Sequence, residues 1–265
     1  MEIPENYHEI NRDTWNRKTE FHLASDFYNM QAFLDGESSL NDIELELLGD
    51  VRGKSILHLQ CHFGQDSLSL ARMGAQVTGA DLSDRAIEEA RSLNEKLGLD
   101  ARFVCCDLYD LPQHLDQKFD IVFSSYGTIG WLPDMQRWAS VIRHFLKDDG
   151  RFVFAEFHPV VWMFNDDFTH VGYDYFNIET IVETENGTYA DREADMVSSS
   201  VSWNHNLAEV FSALIGNGLY IRRFNEYDYS PYPCFRHVYE PEPGRFRIRS
   251  FSRRIPMVYA LECSL

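Results

Sequence analysis

Between Ser55 and Phe157 the chain alternates short apolar runs of strand length with polar turns and helix-period stripes, and this alternation limits its fold more than any other feature. Ser55-Ile56-Leu57-His58-Leu59 is the first run; a polar turn from Gln60 to Asp66 leads into an apolar helical stretch, Ser67 to Met73, stopped by Gly74. Ala75 to Asp81 reads as a second strand. Ser83 then caps a helix that carries Ile87, Ala90, Leu93 and Leu97 on one face and ends at Gly98. Ala101 to Cys106 predicts a third strand and Phe119 to Phe123 a fourth. Met135 to Leu146 predicts a helix with Trp138, Val141, Ile142 and Phe145 on one side, followed by an Asp148-Asp149-Gly150 turn and a fifth strand from Arg151 to Phe157. This pattern calls for an α/β fold, a doubly wound and mostly parallel sheet joined by right-handed crossovers. Ligands of such sheets bind beyond the carboxyl ends of the strands, near the point where strand order reverses.

The flanking regions read differently. Residues 7–48 are helical in pattern and rich in aromatics (Tyr7, Trp15, Phe21, Phe27, Tyr28, Phe33). After His158, Phe176 to Thr184 and Thr188 to Glu193 flank Glu185-Asn186-Gly187, which predicts a β-hairpin whose type I′ turn needs positive φ at both central residues. Asn186-Gly187-Thr188 also matches a glycosylation sequon, which carries little weight without a signal peptide. Leu207, Val210, Phe211 and Leu214 share a helix face closed by Gly216-Asn217-Gly218, and Leu219 to Asn225 and Met257 to Glu262 read as the last two strands. The link between them, Glu226 to Pro256, holds five of the nine prolines and is rich in Tyr and Arg, so it reads as a cover over the site. The expected plan is a helical segment (1–49) covering the site, a core built from 50–157 and 204–265, and an inserted antiparallel hairpin (158–203) over the substrate.

Composition narrows the partners. With 24 Lys+Arg against 42 Asp+Glu the formal charge is −18, which repels phosphate backbones and anionic lipid and argues against nucleic-acid or membrane partners. No basic and apolar leader opens the chain and no apolar run nears the ~20 residues of a membrane span, so a cytoplasmic location is expected. The five cysteines are odd in number, scattered and without a CxxC pair, which fits reduced thiols rather than disulfides or a metal site. Charge is uneven: residues 165–195 hold nine acids and only Arg192 as a base, whereas 222–254 hold eight arginines and four acids. The basic segment is expected to lie near an anionic ligand or against the acidic one.

Three features fall at the carboxyl ends of consecutive strands: the turn Gln60-Cys61-His62-Phe63-Gly64, then Asp81, then Asp107-Leu108. This is the order a nucleoside ligand needs. A carboxylate ending the second strand can accept two hydrogen bonds from a ribose diol; an Asp one strand further can accept from an exocyclic adenine amine while the next main-chain N–H donates to a ring nitrogen.

On these residues, and on Phe119-Asp120-Ile121-Val122-Phe123-Ser124-Ser125-Tyr126 and the Asp-Asp-Gly lead into strand five, the chain resembles the class I S-adenosylmethionine-dependent methyltransferases over about residues 50–265. Through Leu59-Gln60-Cys61-His62-Phe63-Gly64 it resembles most a subset of bacterial small-molecule methyltransferases. The resemblance implies a seven-stranded sheet whose antiparallel last strand, Met257 to Glu262, inserts beside strand five. It further implies S-adenosylmethionine as cofactor, contacted by His58, Gln60, Gly64, Asp81, Leu82, Asp107, Leu108 and Ser125. The first motif departs from the family: His58 stands where an acidic residue would hold the methionine ammonium, and Gln60 and His62 replace two glycines. Gln60 can accept from the ammonium through its amide oxygen.

Methyl transfer from a sulfonium is an in-line displacement that needs alignment, exclusion of water and, for some acceptors, a base, but no metal. Aromatic walls suit it, and Tyr7, Trp15, Phe21, Phe27, Tyr126, Trp131, Trp162 and Tyr173 are candidates to supply them. Glu156 and His158, ending strand five, and then Tyr126 are the candidate bases. The expected function is methyl transfer to a small-molecule acceptor, whose identity has no signature in the sequence; nor has oligomeric state. One alternative is a domain that binds S-adenosylmethionine or S-adenosylhomocysteine without catalysis. Less favoured is a nicotinamide-dependent oxidoreductase, which would want G-x-G-x-x-G where only Gly64 is present.

Overall fold

The computed structural model describes residues 3–265. In chain order its elements are α1 (Tyr7–Ala24), α2 (Met30–Leu34), α3 (Asp42–Leu48), β1 (Ser55–Leu59), α4 (Gln65–Arg72), β2 (Gln76–Asp81), α5 (Asp84–Lys96), β3 (Arg102–Cys105), β4 (Phe119–Ser125), α6 (Met135–Phe145), β5 (Leu146–Phe157), β6 (Ile181–Asn186), β7 (Val197–Ser202), α7 (Leu207–Gly216), β8 (Tyr220–Tyr227), β9 (Val238–Glu242), β10 (Arg245–Ile248) and β11 (Val258–Ser264). Seven strands form one sheet in the order β3-β2-β1-β4-β5-β11-β8. β1 to β5 run parallel; β11 is antiparallel to both β5 and β8, the last strand inserted beside the fifth as the family resemblance implies. Strand order reverses between β1 and β4, which places a crevice at their carboxyl ends.

The sheet is apolar on both faces because both are covered. On one side α6 and α7 bury Trp138, Ile142, Phe145, Val210 and Leu214 against Phe152, Phe154 and Leu261. On the other, Ile43, Leu47 and Leu48 of α3 and Leu70 of α4 pack on Ile56, Val77, Ile121 and Val153. At the β3 edge α5 sets Ile87, Ala90 and Leu93 on Phe103. Ser83 caps α5 by accepting from the Ala86 N–H, as its position in sequence implies.

Three expectations change. β5 starts at Leu146, so Asp148-Asp149-Gly150 runs within the strand and the register against β4 shifts between Phe119 and Ile121. The Asn186-Gly187 pair makes no two-residue turn, because Gly187 has φ +72° while Asn186 is not in the left-handed region. β6 pairs instead with β7 (Asn186 opposite Val197), and residues 187–196 form a folded loop held by Gly187 N–H to Met196 O at 2.9 Å and Thr188 N–H to Asp191 O at 2.8 Å. Gly187 is needed there for another reason: a Cβ would come within 2.6 Å of the Arg192 carbonyl. Lastly, the link 226–256 is partly ordered as the β9–β10 hairpin, and Tyr232, Cys234, Phe235 and Arg236 are its contribution to the central cavity. Its arginines meet acids on both sides. Arg247 and Arg253 bond Asp228, while Arg236 lies 3.9 Å from Asp166 of the acidic segment.

α1 lies over the carboxyl ends of the strands and is fastened at several points. The Asn11 side chain both donates to and accepts from the Val201 backbone (2.8 and 2.9 Å), acting as a strand edge for β7. Arg17 donates to Val197 O, and Asn16 bonds Ser83 and Asp84 at the start of α5. Among the described residues no helix is long and apolar enough to cross a membrane. Asn11→Ala leaves both Val201 groups without a partner in a buried seam, so an expected loss of about 1–3 kcal/mol falls on the docking of α1. Limited proteolysis should then release α1 before the sheet opens.

Candidate active site

A cavity of about 1080 Å³ opens beyond the carboxyl ends of the central strands, roofed by α1, the 158–203 insertion and residues 232–236. It exceeds the ~300–1,000 Å³ usual for one small ligand, which leaves room for two molecules side by side.

Its floor is the turn after β1. Gln60, His62 and Gly64 have φ of +53°, +51° and +81°, so the alternating left-handed backbone that glycines would give is kept by two residues that carry side chains. Such a conformation costs ~1–2 kcal/mol for a residue with a Cβ, and here specific bonds hold it. The His62 N–H donates to Asp81 Oδ2 (2.8 Å) and the Gln60 amide nitrogen donates to Thr128 O (2.8 Å). That orientation leaves Gln60 Oε1 buried without a partner at the cavity wall.

Asp81 ends β2 with each carboxylate oxygen accepting one backbone N–H, from Ser83 and from His62, so free lone pairs face the cavity beside Leu82. Asp107 accepts from the Tyr109 N–H (2.7 Å) and pairs with His8 Nδ1 of α1 (2.8 Å); Leu108 lines the same end. Ser125 closes β4 and donates to Asp66 Oδ2. His58 lies in the wall too, but its ring is bonded through Nδ1 to Ser67 (2.8 Å), and burial lowers its pKa to about 3. It is therefore neutral and supplies no carboxylate to an ammonium.

The three candidate bases fare worse. Glu156 lines the cavity, yet its carboxylate is spent on the backbone N–H groups of Gly127, Thr128, Ile129 and Phe157 and on the Thr128 hydroxyl. It shapes the loop after β4 and has no lone pair left to take a proton. His158, expected at the site, points out of it: it follows the last residue of β5, is absent from the cavity wall, and its Nε2 lies 3.0 Å from Glu226 Oε1 of β8. Tyr126 is in the wall with φ +44°, but its hydroxyl donates to Glu44 Oε2 (2.7 Å) and burial holds its pKa well above the usual phenol value. It is a donor throughout the neutral range.

Several groups in the cavity wall or just behind it went unread in the sequence. Asp66 accepts from Ser39 and Ser125, and burial raises its pKa to about 6; burial, with Asp66 nearby, raises that of Glu44 behind it to about 7. His22 Nδ1 meets His62 Nε2 at 2.9 Å, with both rings held neutral by burial and their far nitrogens unpartnered. Lys18 is buried beside Trp15 and Trp131. A signal for α1 existed. Asn11, Thr14, Lys18 and His22 recur at helical spacing, a polar stripe on the buried side of the helix. Asp66 had none, being one polar residue in a polar turn.

Two substitutions test these assignments. Glu156→Gln sets an amide N–H₂ against backbone donors and should cost about 1–3 kcal/mol in urea unfolding. For Asp66 the folded pKa is raised above its ordinary 3.8, so its contribution to stability is present below about pH 4 and is lost as pH rises through about 6. Asp66→Asn removes that loss. Unfolding at pH 4.5 and 7.5 should show the variant gaining on the wild type at the higher pH, by about 2 kcal/mol.

Residues 56–150 match the model of a methyltransferase domain. A ubiquinone biosynthesis O-methyltransferase of Coxiella burnetii is 29% identical over 136 residues, 50% of this chain and 57% of that protein. An uncharacterised methyltransferase of Synechocystis is 32% identical over 131 residues, 49% of this chain and 59% of that one. The chain thus spans little more than half the length of these curated relatives. Among solved structures, an S-adenosylmethionine-dependent methyltransferase from Mesorhizobium loti superposes with a TM-score of 0.58 at 21% identity, covering 87% of this chain and 99% of that one. The DhpI-SAM-HEP complex gives 0.59 at 18% identity, with 100% of both chains covered. The chain therefore has the fold of the S-adenosylmethionine-dependent methyltransferases, and its residues 56–150 match a methyltransferase domain.

Proposed function

We propose that this chain transfers the methyl group of S-adenosylmethionine to a small-molecule acceptor held in the same cavity. The observation that carries the reading is convergence: four neighbouring strand ends bring Gln60, Asp81, Asp107-Leu108 and Ser125 to one cavity. The residues fit the cofactor on their own chemistry. Gln60 Oε1, buried and unpartnered, suits the methionine ammonium in place of the acid absent at position 58. Asp81 has lone pairs for the ribose diol; the Leu108 N–H and Asp107, beyond the half-exposed His8, suit the adenine edge.

Bound there, the cofactor supplies an electrophilic methyl group on its sulfonium sulfur. The chain supplies the rest. α1 and the insertion exclude water, Trp15, Trp131 and Tyr126 wall the space, and the loop 126–131, pinned by Glu156, sets the line of approach. With Glu156, His158 and Tyr126 unsuited as bases, Asp66, whose pKa burial raises to about 6, is the cavity carboxylate suited to take a proton from an acceptor.

Calorimetric titration with S-adenosylhomocysteine should show saturable binding. Asp81→Ala, with folding checked by thermal unfolding, should weaken it tenfold or more, since charge-assisted bonds are worth ~1.5–3 kcal/mol each. Labelled-methyl transfer to a panel of amines, phenols and carboxylates then reads turnover. No binding at millimolar ligand contradicts the proposal; binding without turnover on any acceptor favours a non-catalytic cofactor-binding chain.

A further inference from the structure

Lys18 is 4% exposed and lines the cavity from the middle of α1. Its Nζ lies 5.5 Å from the ring centre of Trp15 and 5.7 Å from that of Trp131, while those two indoles meet edge to face at 5.3 Å. The nearest carboxylate oxygen is Glu185 Oε2 at 3.9 Å, on an exposed strand of the insertion. That is beyond the ~2.7–2.9 Å of a charge-assisted hydrogen bond, and Glu185 stays half-solvated. An ammonium has three donors, and burying it without hydrogen-bonded compensation is costly. Two indole faces stabilise a cation but accept no strong hydrogen bond from it. Lys18 is thus a buried amine in the wall of a ligand-sized cavity, its pKa pushed down by burial and held up by Glu185 at 3.9 Å, and an anion beside it would stabilise its charged form.

The other two cations of the wall differ. Arg192 and Arg236 are exposed; Arg192 donates to Cys234 O, and Arg236 lies near Asp166. The neighbours of Lys18 also set the ligand's charge. His22 and His62 are neutral, and Glu183 and Glu185 on the neighbouring strand add negative charge, so among the described residues Lys18 is the one positive group of this corner and can offset no more than a single negative charge. A phosphate dianion would call for an arginine fork or several cations, which this corner lacks. A carboxylate matches a single compact ammonium between flat apolar walls.

We propose that Lys18 is the anion receptor of the cavity and takes one carboxylate, carried by the methyl acceptor or by the methionine end of the cofactor. The second source rests on the methyltransferase reading above. So does the name of methyl acceptor for the first, whereas binding of a carboxylate at Lys18 needs only the cavity and the ammonium.

Lys18→Met keeps the length and apolar stem and removes the charge; equal thermal unfolding confirms that α1 stays docked. Calorimetry on wild type and variant then uses two pairs of probes: S-adenosylhomocysteine against 5′-methylthioadenosine, which lacks the amino-acid end, and benzoate against benzamide, with and without S-adenosylhomocysteine. If Lys18 holds the cofactor, Lys18→Met weakens S-adenosylhomocysteine tenfold or more and leaves 5′-methylthioadenosine unchanged. If it reads the acceptor, both nucleosides bind as before, wild type prefers benzoate over benzamide, and the variant loses that preference. Unaltered ratios in both pairs overturn the proposal. Failure of the nucleosides to bind wild type overturns the methyltransferase reading instead, and the benzoate pair still decides the role of Lys18.

Discussion

The buried carboxylate of Glu156 holds the site together. At the end of β5 it accepts the N–H groups of Gly127, Thr128 and Ile129, fixing a loop that leaves β4 through two successive left-handed residues, Tyr126 and Gly127. A loop so shaped exposes its carbonyls in set directions. Thr128 O takes the Gln60 amide and turns Gln60 Oε1 to the cavity, and Gly127 O takes the Trp131 indole, which forms one wall around Lys18. A residue whose sequence position suggests proton transfer thus acts by positioning, and burial with full hydrogen bonding is what assigns it that part.

Much of this was legible. The period-2 and period-3.6 patterns from Ser55 to Phe157 specify the strands and helices, because both faces of the sheet must be covered, and the strand-end acids Asp81 and Asp107 do lie at the cavity. What escaped was set by tertiary geometry. No local pattern says that Glu156 meets a loop nearly thirty residues earlier in the chain, or that His158 turns toward Glu226 of β8. The Asn186-Gly187 signal misled for a similar reason: Gly187 is required by its approach to the Arg192 carbonyl, not by a tight turn.

The altered first motif is the feature the structure explains best. Left-handed backbone at Gln60 and His62 preserves a glycine-like path, and the two side chains gained there are put to use. Gln60 presents an acceptor oxygen; His62 joins His22 and so ties the turn to the helix above it. The N-terminal segment becomes part of the site, reaching from His8 at Asp107, past Lys18, to His22 at His62. The charge of −18 is likewise resolved into parts: Arg236 of the 226–256 link lies near Asp166 of the insertion, Arg245, Arg247 and Arg253 pair with Asp228 and Glu242 inside the link, and one buried lysine sits beside two indole rings.

The proposed methyl transfer needs a nucleoside cofactor lying across these strand ends with its amino-acid end at Gln60. A crystal structure of the chain soaked with S-adenosylhomocysteine tests it most directly. The account requires the ammonium within hydrogen-bond distance of Gln60 Oε1 and the ribose diol on Asp81. Adenosine seated elsewhere in the cavity, or an ammonium that does not contact Gln60, would contradict it.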